Sequence, residues 1–265
     1  MTERTYVFAD TQQEHEWERL TAVQDVFDPI THLHLERLGV SSGWSCLEVG
    51  AGAGSIVRWL CDRVGESGRV VAVDLDPRFV MQIKRPQLDV RCLDIVTEVV
   101  EQASFDLVHA RFVLMHIRNR QAAFSNMLRA LKPGGWLLVE EPDFATALST
   151  GEDGADTQAI ERVFEATRHL YVSMGVDPFL GRKLPSIFQR LNLEEIDAKA
   201  ETALLRGGST RAKIWRMAVE HLREKLIDTG IPLENDLDQF THLMNAPTTW
   251  ALDYASVATW GQKSR

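Results

Sequence analysis

Residues 45–59, SCLEVGAGAGSIVRW, decide the fold because they join a short apolar run to an amphipathic one through a glycine-rich turn. Three glycines stand at alternate positions in that turn, Gly50, Gly52 and Gly54. An apolar run, a cluster of glycines and a helical pattern in this order predict a strand, a tight turn and a helix. Such a turn can hold a dinucleotide, a phosphate or another ligand, and it can also be a plain structural turn.

The composition of the chain is that of an ordinary globular protein and disfavours several classes of partner. The 265 residues are 45% hydrophobic and 25% charged, and the net charge of −9 argues against nucleic acid and anionic membranes as partners. We expect no membrane insertion, since no apolar run approaches the roughly 20 residues that span a bilayer. The opening residues MTERTYVFAD lack the pattern of a signal peptide. The three cysteines, Cys46, Cys61 and Cys92, indicate reduced thiols and a cytoplasmic protein.

Strand and helix patterns alternate regularly after the first forty residues. Apolar runs predict strands at 45–49, 69–74, 89–93, 105–110 and 135–141. Helical segments are predicted between them at 54–64, 77–84, 96–102 and 119–131. Five such units predict an α/β fold, a doubly wound parallel sheet with right-handed crossovers.

The flanking segments extend this sheet. Helices are predicted over 14–38, with Pro29 starting a second segment, and at 156–175, 183–191, 210–228 and 233–245. Alternating patterns at 196–204 and 250–260 predict two further strands that complete one edge of a seven-stranded sheet.

We therefore divide the chain into four segments. They are an N-terminal helical lid (1–43), a ligand-binding core (44–143), a helical cap insertion (144–192) and C-terminal strands and helices that complete the sheet (193–265). The aromatic residues Tyr6, Phe8 and Trp17 either cover the ligand or anchor the first helix.

The neighbours of the glycine turn favour a cationic or zwitterionic ligand over a pyrophosphate. The dinucleotide fingerprint needs a third glycine where this chain has Ser55. Glu48 stands just before the turn, where its charge would repel a phosphate, and residues 45–57 contain no Lys or Arg.

Two further acids complete a nucleoside site. Asp74 ends the second strand, where a carboxylate can accept hydrogen bonds from both hydroxyls of a ribose. Asp94 follows the third strand, within reach of the exocyclic amine of a purine. Ribose, adenine and a positively charged, amino-acid-like remainder together describe S-adenosyl-L-methionine.

Five motifs of this chain stand in the order and spacing of a known family. They are LEVGAGAGS, VVAVDLDP, RCLDI, FDLVHARFVLMHI and LKPGGWLLVEEPD. The chain thus resembles the class I S-adenosylmethionine-dependent methyltransferases, most closely the small-molecule branch with quinone-biosynthesis and bacterial natural-product enzymes. The resemblance is strong over about residues 44–143. It implies a Rossmann-like core, S-adenosyl-L-methionine as cofactor and a small-molecule substrate.

The resemblance also implies which residues contact the cofactor. The glycine loop would lie under the methionine and ribose part, two acids would bind ribose and adenine, and the segment after the fourth strand would line the methionine end. In that order they are Glu48, Gly50, Gly52 and Gly54, then Asp74 with Leu75 and Asp94 with Ile95, and then His109, Ala110 and Arg111.

The candidates on the acceptor side each have a second interpretation. Methyl transfer needs an aligned nucleophile and, for an oxygen nucleophile, a base, but no metal in principle. His116 is a candidate base or a packing residue, and Glu141 and Asp143 contact the substrate or lie on a solvated loop. Tyr171 belongs to an aromatic stripe that walls an acceptor pocket or packs helix against sheet. The sequence shows no metal-binding cluster.

Two rival functions are weighed against methyl transfer. A nicotinamide-dependent reductase on a similar sheet is disfavoured by the displaced third glycine, by Glu48 and by the lack of a Tyr-x-x-x-Lys pair. A protein that binds S-adenosylmethionine without transferring its methyl group would carry the same cofactor loop. The sequence also leaves a homodimer open.

Overall fold

The computed structural model describes residues 13–265, which form two compact units. The first, here called the sheet unit, comprises Phe27–Glu141, Arg182–Lys199 and Val257–Arg265. The second, the helical unit, comprises residues 13–26, Pro142–Gly181 and Ala200–Ser256. Tyr6 and Phe8 lie outside the described residues, and the division into lid, core, cap and C-terminal segment stays a prediction.

The seven-stranded sheet follows the order β3-β2-β1-β4-β5-β10-β7. Its strands are β1 (Ser45–Val49), β2 (Arg69–Asp74), β3 (Leu88–Cys92), β4 (Phe105–Arg111), β5 (Leu131–Asp143), β7 (Glu194–Glu201) and β10 (Ala255–Gln262), and β6 (Leu148–Ser149), β8 (Leu204–Arg206) and β9 (Trp250–Leu252) form a second sheet. β2, the strand that follows β1 along the chain, lies on one side of β1, and β4 lies on its other side. The strand order therefore reverses at β1. The predicted doubly wound, seven-stranded sheet is confirmed.

The register of the central strands brings charged residues side by side. The pairs β1–β2, β2–β3, β1–β4 and β4–β5 are all parallel. Glu48 of β1 lies opposite His109 of β4, and Arg111 of β4 lies opposite Glu140 of β5. Strands buried on both faces are expected to be apolar throughout. The acids and the histidine within them therefore need hydrogen-bonding partners of opposite charge.

Seven helices flank or follow the strands of the described chain. They are α1 (Gln13–Arg37), α2 (Ser55–Val64), α3 (Arg120–Ala130), α4 (Ala155–Ser173), α5 (Leu184–Arg190), α6 (Thr210–Ile227) and α7 (Glu234–Asn245). Helix α2 shows why the local sequence suits its place: Ile56, Leu60 and Val64 recur at helical spacing and are all buried. None of the described helices is long and apolar enough to cross a membrane.

The predicted break at Pro29 is wrong, because α1 continues through it. Proline removes one helical hydrogen bond and normally ends or kinks a helix. Here the adjacent turn is held by other contacts: the hydroxyl of Thr31 lies 3.2 Å from the carbonyl oxygen of Phe27, and the Asp28 carboxylate accepts hydrogen bonds from Arg111 and Ser55. Tertiary contacts thus outweigh the local preference.

The predicted helix at 96–102 is also wrong, and the one at 77–84 shrinks to a single 3-10 turn at Val80–Gln82. After Asp94 the chain makes turns, in which the Asp94 carboxylate accepts from the N–H of Val96. The side-chain amide of Asn126 then donates to the carbonyls of Ile95 and Glu98. Carbonyls used in this way, within a run rich in β-branched residues, do not build a helix.

The late strands are divided differently from the prediction. The segments 196–204 and 250–260 each split, so that β7 and β10 join the large sheet while β8 and β9 pair with β6 in a three-stranded sheet. The interruption between β9 and β10 coincides with Asp253, which is 2% exposed. The Asp253 carboxylate accepts hydrogen bonds from the indole N–H of Trp215 and from the guanidinium of Arg211, and the strand is interrupted at this residue.

Asp253 lies in the helical unit beside an aromatic cluster. The rings of Phe144 and Tyr254 stack at 4.5 Å between centroids, and Phe164 and Trp215 are equally close. Asp253 ties this cluster to polar groups: its oxygens accept from Trp215 (2.8 Å), Arg211 (2.9 Å) and the N–H of Tyr254 (2.9 Å). A buried carboxylate with three donors is a strong constraint, since removing it takes one acceptor from each of them.

We expect Asp253→Ala to destabilise the protein by about 1–3 kcal/mol, the range for leaving a buried donor such as the indole N–H of Trp215 without its acceptor. The midpoint of urea unfolding, followed by far-UV circular dichroism, measures the loss. Asp238→Ala is the matched control, because Asp238 in the same unit pairs with Arg223 at 2.8 Å while its side chain is 69% exposed. Similar midpoints for the two variants would contradict the assignment of Asp253 as a structural centre.

Candidate active site

The glycine loop between β1 and α2 owes its sequence first to its own backbone. Gly50, Gly52 and Gly54 have φ values of 73°, 51° and 82°, a region that side chains disfavour. A Cβ on Gly50 would lie 2.1 Å from Cγ2 of Val113, and one on Gly54 would lie 2.5 Å from Cδ1 of Ile83. The turn identified in the sequence is thus required by neighbours within the protein, whether or not a cofactor also approaches it.

Asp74 is fixed against this loop. Its Oδ2 accepts the N–H of Gly52 at 2.9 Å, and its Oδ1 accepts the N–H of Asp76 at 2.9 Å. Burial raises the pKa of Asp74, while these two amide hydrogen bonds act in the opposite direction. Asp74, the residue predicted to bind the ribose, is therefore joined by a hydrogen bond to the predicted glycine loop.

Leu75, grouped with Asp74 on the ribose side, follows β2, and the residues assigned to adenine, Asp94 and Ile95, follow β3. Leu75 follows Asp74 and is 55% exposed. Asp94 follows β3 and is half-buried, with one oxygen accepting the N–H of Val96 at 2.8 Å. Ile95 is buried. An exposed apolar side chain beside partly accessible carboxylates is a surface on which a purine can stack and donate.

A buried imidazole lies between two carboxylates beneath the loop. Nδ1 of His109 is 2.7 Å from Oε2 of Glu48, and Nε2 is 3.3 Å from Oε2 of Glu140. Burial alone would lower the pKa of His109, but the two carboxylates outweigh it and raise the pKa to about 9. The imidazole is therefore a cation at neutral pH.

Helix α1 completes this group of buried charges. Glu140 accepts hydrogen bonds from Thr31 (2.5 Å) and from Nδ1 of His34 (2.7 Å). Arg111 donates to Thr31 (2.8 Å) and to Asp28 (2.7 Å). We call these residues the buried polar cluster: Asp28, Thr31, His34, Glu48, His109, Arg111 and Glu140.

The charges of the buried polar cluster support one another. Burial alone would raise the pKa of Glu140, but hydrogen bonds from His109 and His34 and the charge of Arg111 hold it well below its usual range. The sequence predicted Glu48, His109 and Arg111 as cofactor contacts, and the structure places all three in this cluster. The sequence did not reveal that Glu140 and residues of α1 belong to this cluster, although a carboxylate within an apolar strand indicates that a buried partner exists.

Glu141 is fully buried and holds the loop after β4. Its oxygens accept the N–H groups of Val113 (3.0 Å), Leu114 (2.7 Å) and Met115 (3.2 Å). Burial raises the pKa of Glu141 to about 8, against the effect of these three donors. Phe112 in this loop has a φ of 56°, a strained value for a residue with a side chain.

These contacts favour a positioning role for Glu141. Both of its oxygens are used within the protein, so its assignment to a substrate stays a prediction. Through Val113, which packs where a Gly50 side chain would be, the loop after β4 is coupled to the glycine loop.

The other acceptor-side candidates are divided between the two units. His116 is half-buried and ends the single 3-10 turn Leu114–His116. Asp143 belongs to the helical unit, is 4% exposed, and accepts the N–H of Ala145 at 3.1 Å. Tyr171, in the same unit, packs edge-on to Phe144 at 5.4 Å. Burial raises the pKa of the Tyr171 phenol to about 12, which fits the packing interpretation.

Within residues 13–265, no group of three or more His, Cys, Asp or Glu side chains has a geometry that could hold a metal ion.

We expect Gly50→Ala to destabilise the protein more than Gly230→Ala. Both glycines have nearly the same φ, 73° and 72°, so both variants carry a backbone strain of about 1–2 kcal/mol. No described atom lies within 4 Å of a Cβ on Gly230, whereas one on Gly50 meets Val113. Overpacking adds about 1–3 kcal/mol to the loss for Gly50→Ala. Equal losses in thermal unfolding would show that Val113 is not fixed against the loop.

Comparison with known proteins agrees with this geometry. Residues 47–139 match the family model described as a methyltransferase domain. Methyltransferase str2 of Strobilurus tenacellus is 27% identical over 190 residues, which cover 70% of this chain and 66% of that protein. The chain spans less than two thirds of the length of the curated relatives that it matches first.

Two solved structures share the fold. Phosphoethanolamine N-methyltransferase 2 of Haemonchus contortus, in complex with phosphomonomethylethanolamine and S-adenosylhomocysteine, has a TM-score of 0.63 at 18% identity, covering 100% of this chain and 61% of that one. The [4+2]-cyclase SpnF has a TM-score of 0.53 at 18% identity, covering 91% of this chain and 82% of that one. The matched domain coincides with β1 to β5, where the glycine loop and Asp74 meet at the reversal of strand order. Residues 47–139 of this chain are thus similar to the methyltransferase domain family.

Proposed function

We propose that this protein transfers a methyl group from S-adenosyl-L-methionine to an oxygen, nitrogen or carbon atom of a small metabolite. The observation that carries the proposal is the hydrogen bond from the N–H of Gly52 to Asp74. It joins the loop after β1 to a carboxylate at the end of β2, at the place where open α/β sheets bind nucleoside ligands.

The described residues fit this cofactor. Glu48 offers a buried carboxylate to a cationic group, and residues 45–57 carry no Lys or Arg that would favour a phosphate instead. Asp74 would hold the ribose, Asp94 with Ile95 the adenine, and the segment from His109 to Arg111 the methionine end. The cofactor supplies an activated methyl group when bound. The chain itself orients the two reactants and excludes water.

The acceptor side of the proposal is less specific. A small acceptor is supported by the Haemonchus contortus enzyme, whose structure holds phosphomonomethylethanolamine. His116 is our candidate base for an oxygen nucleophile, and Asp143, Tyr171 and Glu141 are candidate substrate contacts. We also propose that the protein works in the cytoplasm, since Cys46, Cys61 and Cys92 are free thiols.

A second candidate function is supported by one comparison. A protein described as a [4+2]-cyclase shares this fold over 91% of the chain. Binding of S-adenosylmethionine without methyl transfer is therefore the alternative to test. It differs from the first proposal in one product, because methyl transfer releases S-adenosylhomocysteine and the alternative does not.

We expect Asp74→Ala to weaken S-adenosylmethionine binding by about 1–3 kcal/mol, the range for removing a partner from a buried polar contact. Isothermal titration calorimetry measures the affinity. Asp76→Ala is the control, because Asp76 lies two residues away with its side chain 52% exposed. Unchanged affinity in Asp74→Ala would remove Asp74 from the ribose role.

Turnover separates the two functions. We expect incubation with methyl-labelled S-adenosylmethionine and a panel of small phenols, amines and activated carbon acids to yield S-adenosylhomocysteine and a labelled product in equal amounts. Mass spectrometry detects both. Conversion of an acceptor without S-adenosylhomocysteine would favour the alternative. Thermal stabilisation by NADH but not by S-adenosylmethionine would contradict both, since a ligand that binds the native state raises its melting temperature.

A further inference from the structure

The carboxylate of Glu48 is buried but only half used. Its side chain is 4% exposed, and its Oε2 is bonded to His109. No residue of the described chain donates a hydrogen bond to its other oxygen, Oε1. A carboxylate oxygen that accepts nothing from the described residues is available to a donor on a ligand. Glu48 is the next-to-last residue of β1 and stands two positions before Gly50, close to where the glycine loop begins.

His109 fixes the other half of this carboxylate. The ring is fully buried, and each of its nitrogens faces a carboxylate, one on β1 and one on β5. A ring held at both ends cannot turn without breaking a charge-assisted hydrogen bond. The position of Glu48 is therefore set by a side chain that is itself fully buried.

The contacts within the buried polar cluster leave one oxygen of Glu48 without a donor from the described residues. Arg111 is bonded to Asp28 and Thr31, and His34 is bonded to Glu140, which leaves Glu48 to His109 alone. The second oxygen of this buried carboxylate therefore suits a cationic donor on a ligand.

We propose that His109 is a positioning residue that orients the free oxygen of Glu48 toward a cationic group of the cofactor. The inference rests on the proposed function, because it takes S-adenosylmethionine as the ligand. That cofactor carries two candidate groups, the ammonium of its methionine part and the sulfonium.

The positive charge of His109 lies between the negative charges of Glu48 and Glu140 and offsets their repulsion. The groups that face it are Glu48 on β1 and Glu140 on β5, and Glu140 in turn faces His34 and Thr31 on α1. With its pKa raised to about 9, His109 stays protonated between pH 6 and 8. Without that cation, Glu48 and Glu140 would repel each other, and such a pair takes up a proton as the pH falls.

Two neutral replacements of His109 test the inference. His109→Asn keeps a donor near the position of Nδ1, toward Glu48, and His109→Gln keeps one near Nε2, toward Glu140. The ligands are S-adenosylmethionine, S-adenosylhomocysteine, which lacks the sulfonium, and methylthioadenosine, which lacks both cationic groups. Calorimetry at pH 7.5 measures the affinity of each ligand for each intact, folded variant.

We expect both variants to bind S-adenosylmethionine about ten- to hundredfold more weakly, the effect of disturbing a hydrogen bond to a charged group. Methylthioadenosine should change by less than about threefold, because it has no cation for Glu48. Loss of S-adenosylhomocysteine affinity as well would assign the contact to the ammonium. Retention of that affinity would assign it to the sulfonium.

Two outcomes would overturn the inference. Equal weakening of all three ligands would make His109 a purely structural residue, and unchanged affinities would remove it from the site. The proposed function is judged separately, by whether the wild-type protein binds S-adenosylmethionine at all. His32→Asn is the matched control, because His32 is also a histidine of the sheet unit, half-buried and stacked on Trp59 at 5.1 Å, and lies outside the buried polar cluster. It should leave all three affinities within about threefold.

A pH profile gives a readout that loss of packing would not produce. Wild-type affinity for S-adenosylmethionine should stay constant between pH 8 and 6, whereas the His109 variants should lose affinity as the pH falls.

If the His109 variants do not fold, Glu48→Gln tests the inference instead. It keeps an acceptor for His109 and removes the charge, so it should weaken S-adenosylmethionine and spare methylthioadenosine. A flat pH profile in the variants, or equal losses in Glu48→Gln, would contradict the inference.

Discussion

The imidazolium of His109 between Glu48 and Glu140 is the interaction on which the rest of the sheet unit depends. A buried charge is tolerated only when opposite charges and hydrogen bonds surround it. The three residues come from β1, β4 and β5, which are adjacent in the sheet, so a shift of one strand by a residue would break the contact. The same group reaches α1 through His34 and Thr31, which explains why that helix continues past its proline.

The parts of the fold that sequence reasoning predicted are those encoded locally. Apolar runs at the central strands identified β1 to β5, because strands buried on both faces must be continuous in apolar residues. The spacing of Gly50, Gly52 and Gly54 identified the turn, because positive φ values need glycine. Asp74 was found by its place at the end of β2, and the structure joins it to Gly52.

The parts that escaped are those decided by contacts between distant residues. Nothing near Pro29 indicates that Arg111 will hold the adjacent turn, and nothing near residues 96–102 indicates that Asn126 will use their carbonyls. Glu141 looked like a solvated or substrate-facing acid, because the three amides that it accepts lie 26 to 28 residues earlier in the chain. The split of the late strands likewise depends on where the side chain of Asp253 finds its partners.

The chain path through the two compact units limits how this protein could have been assembled or could be rebuilt. It passes from one unit to the other after Val26, Glu141, Gly181, Lys199 and Ser256. Four of these points fall inside α1, β5, β7 or β10 rather than in a linker. Neither unit is a contiguous piece of the gene, so a single recombination event cannot exchange one of them intact. Diversification within this architecture is therefore expected to proceed by substitution and by loop insertion, with both units inherited together.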